Sequence, residues 1–128
     1  YFARLRADDA NLTTTMLRSP DSSCALAVTF NTNGLPRFVL WKNTAAESDG
    51  YVTGLEPATN YPNQRSFEEK KYRVVEIGAG DTASFRVRLH PLTDSESIEN
   101  MSARIRTLQG DEAADIHSRP RPGWSPGA

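Results

Sequence analysis

The chain has 128 residues, 38% of them hydrophobic, and its 15 basic side chains stand against 16 acidic ones for a net charge of −1. That length and composition suffice for one modest hydrophobic core, so a single domain is expected. A net charge near zero offers no basic field, so neither nucleic acid nor an anionic membrane surface is expected as a partner. No window approaches the run of about 18 apolar residues that a membrane span needs, so a soluble protein is expected.

The single cysteine bears on the compartment in which the protein works, and the first residues bear on the extent of its gene product. Cys24 lies in the apolar run 24-CALAVTF-30 and is expected to be buried as a small hydrophobic residue. A lone thiol is compatible with a reducing compartment, and a cytoplasmic location is therefore expected. The chain opens without Met, directly in strand-like sequence, which indicates the later part of a longer gene product or a shortened form of one.

The first 92 residues alternate short apolar runs with turn residues, which is typical of an antiparallel sheet. The predicted strands are Phe2–Ala7, Leu12–Leu17, Ala25–Asn31, Arg37–Lys42, Tyr51–Glu56, Arg73–Ile77 and Ala83–His90. In the last of these, alternation predicts one buried apolar face and one wet face that carries arginines. The fold class expected is therefore mainly β, an antiparallel β-sandwich.

After Pro91 the apolar residues recur at helical spacing, which predicts an amphipathic helix from Asp94 or Ser95 to about Leu108. Gly110 supplies the stop. The remaining residues, 111–128, include three prolines and two glycines with little to bury, so a disordered tail is expected there. Residues 1–110 are expected to form the folded part.

Motifs for cofactor or metal chemistry are missing from this sequence. It contains no GxGxxG, no GxxxxGK[ST], no CxxC and no HExxH. No cofactor and no metal site are therefore expected. The two histidines, His90 and His117, lie at a strand end and in the tail, without the spacing of a catalytic triad.

Glu56 is the residue in this sequence that most resembles a catalytic group. It lies inside the apolar, β-forming segment 51-YVTGLEP-57, where Pro57 is expected to end the ladder. A carboxylate at a strand end beside a loop rich in Pro and Asn is well placed for a site. The alternative is a charge on an edge strand that discourages aggregation, and the pattern alone leaves both open.

Amide and aromatic groups lie near the same strand ends. They are Trp41, Asn43, Asn60, Tyr61 and Asn63. Such groups bind sugar hydroxyls and sugar ring faces, although asparagines are also common in turns and a Trp is also common in a core. The following charge run, 68-EEKK-71, is expected to be a solvated surface.

Read together, 54-GLEPATNYPN-63, a charged loop, the Gly-rich turn in GAGDTASF and a last strand resemble the C-terminal part of the aldose 1-epimerase (galactose mutarotase) superfamily. The block from Leu35 to Phe67 is most similar to a bacterial branch of that superfamily whose function is uncharacterised. The resemblance covers about residues 1 to 108. It implies a large two-sheet β-supersandwich of which 1–110 would be the C-terminal part, with the N-terminal half supplied by residues that this sequence lacks.

The resemblance also implies a chemistry. Glu56 takes the position of the general base, which would remove the proton from the anomeric hydroxyl of a sugar so that the ring opens and recloses as the other anomer. Trp41, Lys42 and Asn43 resemble a strand-end segment that faces the same cleft, with Asn60 and Asn63 also near the sugar. The acid histidines of the superfamily have no match here, and Pro57 replaces its threonine. The fragment alone is therefore expected to be inactive.

Three functions remain open at this stage. The first is an aldose 1-epimerase-like isomerase fragment acting on a small sugar, and the second is a noncatalytic carbohydrate-binding β-sandwich. The third is a purely structural domain that self-associates through an exposed sheet edge.

Overall fold

The computed structural model describes residues 1–127, which contain two antiparallel three-stranded sheets. The elements in chain order are β1 (Phe2–Ala3), β2 (Leu12–Arg18), β3 (Ala25–Asn31), β4 (Arg37–Lys42), a 3₁₀ turn (Glu47–Asp49), β5 (Thr53–Ala58), α1 (Arg65–Lys70), β6 (Val87–Leu92) and α2 (Ser95–Gln109). The expectation of a mainly β, antiparallel fold with one principal C-terminal helix is confirmed. The chain divides into two compact units, each built around one sheet.

The first unit comprises residues 1–5, 35–84 and the end of the chain from His117, and its sheet has the order β1-β4-β5. β5 pairs only with β4 and is an edge strand. The ladder continues past Glu56 to Ala58, so the prediction that Pro57 ends it was wrong. An edge strand tolerates proline because the missing N–H falls on the unpaired side.

The second unit comprises residues 6–34 and 85–116, and its sheet has the order β2-β3-β6. Helix α2 packs on this sheet through β2, and Arg18 of β2 pairs with Glu99 of the helix at 3.3 Å. Ala27 and Ile98 are fully buried in this unit. The face that bears Arg18 and Ala27 is thus the one the helix covers.

The bounds of α2 agree closely with the prediction. The side chain of Asp94 caps the helix by accepting a hydrogen bond from the Ser97 backbone N–H at 2.8 Å, and this bond holds the pKa of Asp94 below its usual value. Gly110 takes a positive φ of 65° just beyond the last turn, a conformation that favours glycine. Local capping signals therefore sufficed to place this helix.

Strand β6 is shorter and more exposed than predicted. It begins at Val87 rather than at Ala83, and Val87 and Leu89 remain 45% and 62% exposed. Both lie on the face opposite Arg18, because Leu89 is in register with Val28 and not with Ala27. The prediction that these two side chains are buried was wrong because β6 is the edge strand of its sheet, whereas their partners on the same face of β3, Phe30 and Val28, are buried.

Three further predictions from local pattern were wrong. Residues Arg73–Ile77 form no strand, since the backbone N–H of Arg73 instead donates to the carbonyl of Glu68 at 3.0 Å, just beyond the end of α1. The strand predicted over Phe2–Ala7 is confined to Phe2–Ala3. Cys24 is exposed, because it precedes β3 in a turn where its backbone pairs with Ser19.

Among residues 1–127, no helix combines the length and the apolar character needed to cross a membrane.

Candidate functional site

Glu56 lies on one face of the edge strand β5, and the ladder fixes its neighbours. It is in register with Val39 of β4, while Gly54, two residues earlier, is in register with Trp41. Because residues two apart on a strand share a face, Glu56, Gly54 and Trp41 all lie on the same side of the sheet. Glu56 is exposed and Trp41 is 48% exposed. A carboxylate and an aromatic ring are thus presented together at the sheet edge.

Gly54 makes the space that the Glu56 carboxylate occupies. A Cβ atom added at Gly54 would overlap Oε1 of Glu56 and would touch its Cδ at 3.1 Å. The carboxylate therefore folds back over the glycine, towards the row of the ladder that contains Trp41. Within residues 1–127 it forms no hydrogen bond or ion pair, so its oxygens remain available as proton acceptors.

The other residues expected near a sugar divide into separate groups. Lys42 is in register with Thr53, so alternation places its side chain on the face opposite Glu56. The Asn43 side chain accepts a hydrogen bond from the Ala45 backbone N–H at 3.1 Å, which is the geometry of a turn. The fold therefore brings Trp41 to Glu56 but does not bring Lys42 there.

The two later asparagines follow β5 in the loop that leads to α1. Asn60 is half-buried, and its Oδ1 accepts from the Thr59 hydroxyl at 3.1 Å, which leaves its amide nitrogen without a hydrogen bond in residues 1–127. Asn63 donates from Nδ2 both to Oε1 of Glu68 at 2.7 Å and to the carbonyl of Trp124 at 2.8 Å. The Asn63 amide is thus engaged in holding the fold.

Glu68 is the buried carboxylate of this unit, contrary to the expectation that 68-EEKK-71 is a solvated surface. Its relative exposure is 0%, and Arg73 binds it through two parallel hydrogen bonds of 2.7 and 2.6 Å. Asn63 and the Tyr61 backbone N–H donate to it as well. Burial by itself raises the pKa of Glu68, but these donors and the Arg73 charge outweigh burial and hold the pKa below its usual value.

A stack of three aromatic rings lies beside this buried pair. The Tyr61 ring stacks on Phe2 with centroids 4.6 Å apart and on Trp124 with centroids 5.0 Å apart. Phe2 is in register with Val39, so the stack begins on the same face of the sheet as Glu56. Trp124 falls in the segment expected to be a disordered tail, yet it packs here, and the carbonyl of the preceding Gly123 accepts from Arg73 at 2.8 Å.

Arginines surround this aromatic stack. The guanidinium carbons of Arg37 and Arg73 lie 5.6 and 5.3 Å from the centre of the Tyr61 ring. Those of Arg4 and Arg121 lie 5.6 and 5.3 Å from the centre of the Trp124 ring. No local pattern predicts this group, because its members are far apart along the chain and share no regular spacing.

Two buried polar atoms in this group lack a partner. Among residues 1–127, Nε of Arg37 and the Tyr61 hydroxyl are buried without a hydrogen bond of good geometry, although Arg4 approaches that hydroxyl. An orphaned buried donor costs about 1–3 kcal/mol. Burial and the neighbouring Arg4 charge lower the pKa of Arg37, and burial raises the pKa of Tyr61.

Metal ligands are not grouped in the part of the chain that the structure describes. Residues 1–127 contain no cluster of three or more His, Cys, Asp or Glu side chains arranged around a common point. His90 instead lies within hydrogen-bonding distance of the Thr29 hydroxyl, its Nε2 at 3.1 Å, in the second unit.

Comparison with known proteins identifies the family to which this chain belongs. The chain belongs to the family described as a domain of unknown function (DUF4432), whose profile matches residues 1–90. It is similar to the crystal structure of a candidate aldose 1-epimerase from Klebsiella pneumoniae, with a TM-score of 0.80 and 32% identity. That match covers 86% of this chain and 29% of the Klebsiella protein. No curated protein matches the chain.

These matches confirm the resemblance to the aldose 1-epimerase superfamily and to a branch of it whose function is uncharacterised. Because the chain spans 29% of the length of the Klebsiella protein, the activity of a whole protein of this kind is not established by the match.

Proposed function

We propose that this chain is the base-bearing, sugar-binding part of an aldose 1-epimerase-like isomerase that interconverts the anomers of a sugar. The single observation that carries the proposal is the Glu56 carboxylate, which is exposed, free of other bonds within residues 1–127, and held over Gly54 on the face that bears Trp41. The similarity to a candidate aldose 1-epimerase supports the same reading.

Glu56 is assigned the role of general base. It accepts the proton of the anomeric hydroxyl while an acid protonates the ring oxygen, so the ring opens to the free aldehyde. Rotation about the first carbon–carbon bond and reclosure then give the other anomer. The acid is assigned to another part of the whole protein, since neither His90 nor His117 stands in a motif that matches the acid of the superfamily.

Trp41 and Asn60 are assigned to sugar binding. Trp41 offers a half-exposed aromatic face beside the carboxylate, and such faces pack against the apolar face of a pyranose. Asn60 offers an amide nitrogen as a donor to a hydroxyl. Lys42, on the opposite face of the sheet, and Asn43, in the turn after β4, are assigned to the rim of the site. We place the isomerase in the cytoplasm, with which the exposed, unpaired Cys24 is compatible.

The Glu56→Gln substitution tests the assignment in the protein at its full natural length. The amide keeps the shape of the side chain but cannot accept the proton, so the rate of anomeric exchange should fall about 10²- to 10⁴-fold. Saturation-transfer proton NMR on a panel of aldoses measures that rate directly. Glu76→Gln is the matched control, because Glu76 is also an exposed carboxylate but lies in a loop remote from β5 in sequence.

A noncatalytic carbohydrate-binding sandwich is the second candidate, favoured by Pro57 standing where the resembled segment carries threonine. In that case Glu56→Gln would weaken sugar binding, and wild-type protein would show no exchange on any sugar. Equal exchange rates for wild type and Glu56→Gln would refute the role of Glu56 as base.

A further inference from the structure

The arginine group around the Tyr61 stack carries more positive charge than the fold neutralises. Four arginines lie over the Tyr61 and Trp124 rings, namely Arg4, Arg37, Arg73 and Arg121. Glu68 is the buried carboxylate beside them, and Arg73 already binds it through two hydrogen bonds. Within residues 1–127, neither Arg4 nor Arg37 has a carboxylate partner. Arg4 and Arg37 therefore repel each other, and the Glu68 charge attracts Arg37 without pairing with it directly.

Cation–π contact does not account for this arrangement. A ring attracts a cation, but each ring here receives two, and the positive charges of Arg4 and Arg37 oppose each other. Moreover, Nε of Arg37 and the Tyr61 hydroxyl are two of the three buried side-chain polar atoms in residues 1–127 that lack a hydrogen-bond partner. Native proteins rarely leave such atoms unpaired, and a bound acceptor would satisfy the Arg37 donor.

The ladder places Arg37 on the same side of the sheet as Glu56. Arg37 is in register with Ala58, and Ala58 is two residues beyond Glu56 on β5. Two residues of a strand span about 7 Å. Because the Glu56 carboxylate lies over Gly54, on the far side of Glu56 from Ala58, a ligand that contacts both Glu56 and the long Arg37 side chain must extend along this face of the sheet.

We propose that Arg4, Arg37 and Tyr61 form a site for an oxyanion, and that the sugar bound by Glu56 carries a phosphate or carboxylate group. This inference rests on the proposed function, because it names the substrate class of the same site. Guanidinium groups bind such anions through paired hydrogen bonds, and the tyrosine hydroxyl can donate a further one. The anion would supply the counter-charge that Arg4 and Arg37 lack.

Calorimetric titration of the full-length protein with glucose, glucose 6-phosphate and glucuronate tests the site and separates a phosphate from a carboxylate preference. One of the two anionic sugars should bind at least about tenfold tighter than glucose, because a charged hydrogen-bonded pair adds roughly that much. Arg37→Gln and Arg4→Gln should each remove most of that preference while leaving the affinity for glucose unchanged. Arg37→Lys keeps the positive charge and should retain part of the preference for the anionic sugar. Arg104→Gln, an exposed substitution on α2, should leave all three affinities unchanged.

The results separate this inference from the proposed function. Equal affinities for the neutral and anionic sugars, or equal losses for both in the Arg37→Gln protein, would overturn the oxyanion site even if anomeric exchange is present. Binding of an anionic sugar that depends on Arg37, without anomeric exchange, would leave the oxyanion site standing and remove the isomerase. A loss of thermal stability in Arg37→Gln that Arg37→Lys does not relieve, with unchanged selectivity, would make Arg37 purely structural.

Discussion

Two carboxylates of the first unit, Glu56 and Glu68, lie twelve positions apart in the chain and in opposite surroundings. Glu68 is fully buried and accepts hydrogen bonds from Arg73, Asn63 and the Tyr61 backbone. Glu56 is exposed on an edge strand, and within residues 1–127 nothing donates to it. A carboxylate whose oxygens are all engaged stabilises a fold, whereas one left free can accept a proton from a ligand.

The neighbouring loop shows how the fold keeps the two roles apart. Asn63, which the sequence suggested as a sugar ligand, serves Glu68 and the Trp124 carbonyl instead. Through that bond and the stack on Tyr61, the end of the chain is tied to the loop that follows β5. The hydrogen bonds around Glu68 thus stabilise the loop that follows β5, the strand on which Glu56 lies.

The largest effect is expected from Glu68→Gln. Removal of the charge leaves the Arg73 guanidinium buried without its counter-ion, and breaking a buried pair in this way costs about 3–5 kcal/mol. Chemical denaturation followed by circular dichroism measures the free energy of unfolding. The adjacent Glu69→Gln is the matched control, because Glu69 pairs with Arg65 on the exposed surface, where an ion pair adds little to stability.

Glu56→Gln completes that comparison, since the loss of an exposed and unpaired carboxylate should change stability by less than about 0.5 kcal/mol. If Glu56→Gln were as destabilising as Glu68→Gln, Glu56 would be a structural residue and the contrast between the two carboxylates would fail.

A smaller effect, confined to activity, is expected from Gly54→Ala. The added methyl group would overlap the Glu56 carboxylate, which is the flexible end of a side chain and can move away at little cost in stability. The displaced base should slow anomeric exchange by about 10- to 100-fold, because small misplacements of a catalytic group are costly. Gly34→Ala is the control, since its Cβ would meet Phe85 at an ordinary 3.4 Å. Unchanged exchange in Gly54→Ala would show that the carboxylate works from another position.

The sequence predicted well those features that depend on near neighbours. The capped helix after Asp94, the strands around Ala25 and Arg37, and the position of Glu56 on a strand all follow from periodicity and from adjacent residues. The placement of Glu56 beside Gly54 also follows, since residues two apart on a strand share a face.

Features that depend on distant partners could not be predicted in the same way. The sequence predicts a solvated Glu68 near two lysines. Hydrogen bonds from Arg73, Asn63 and the Tyr61 backbone offset the free-energy cost of burying its charge. Trp124 lies among prolines and glycines, and its partner Tyr61 is more than sixty residues away. A buried Tyr61 between Phe2 and Trp124 is a property of the fold that no local pattern contains.

The dependence of the unfolding free energy on pH isolates the charge of Glu68, and it is expected only in acid. The folded chain holds the pKa of this carboxyl below its ordinary value of 4.5, so its contribution to stability is complete above that value and is lost as the pH falls through the lowered pKa. The difference in unfolding free energy between wild type and Glu68→Gln should therefore be constant near neutral pH and narrow only below about 4.5. The difference between wild type and Glu69→Gln should stay small throughout. If the difference in unfolding free energy between wild type and Glu68→Gln did not narrow in acid, the shape of Glu68 rather than its charge would stabilise the fold. The distinction between Glu68 and Glu56 would then depend on packing alone.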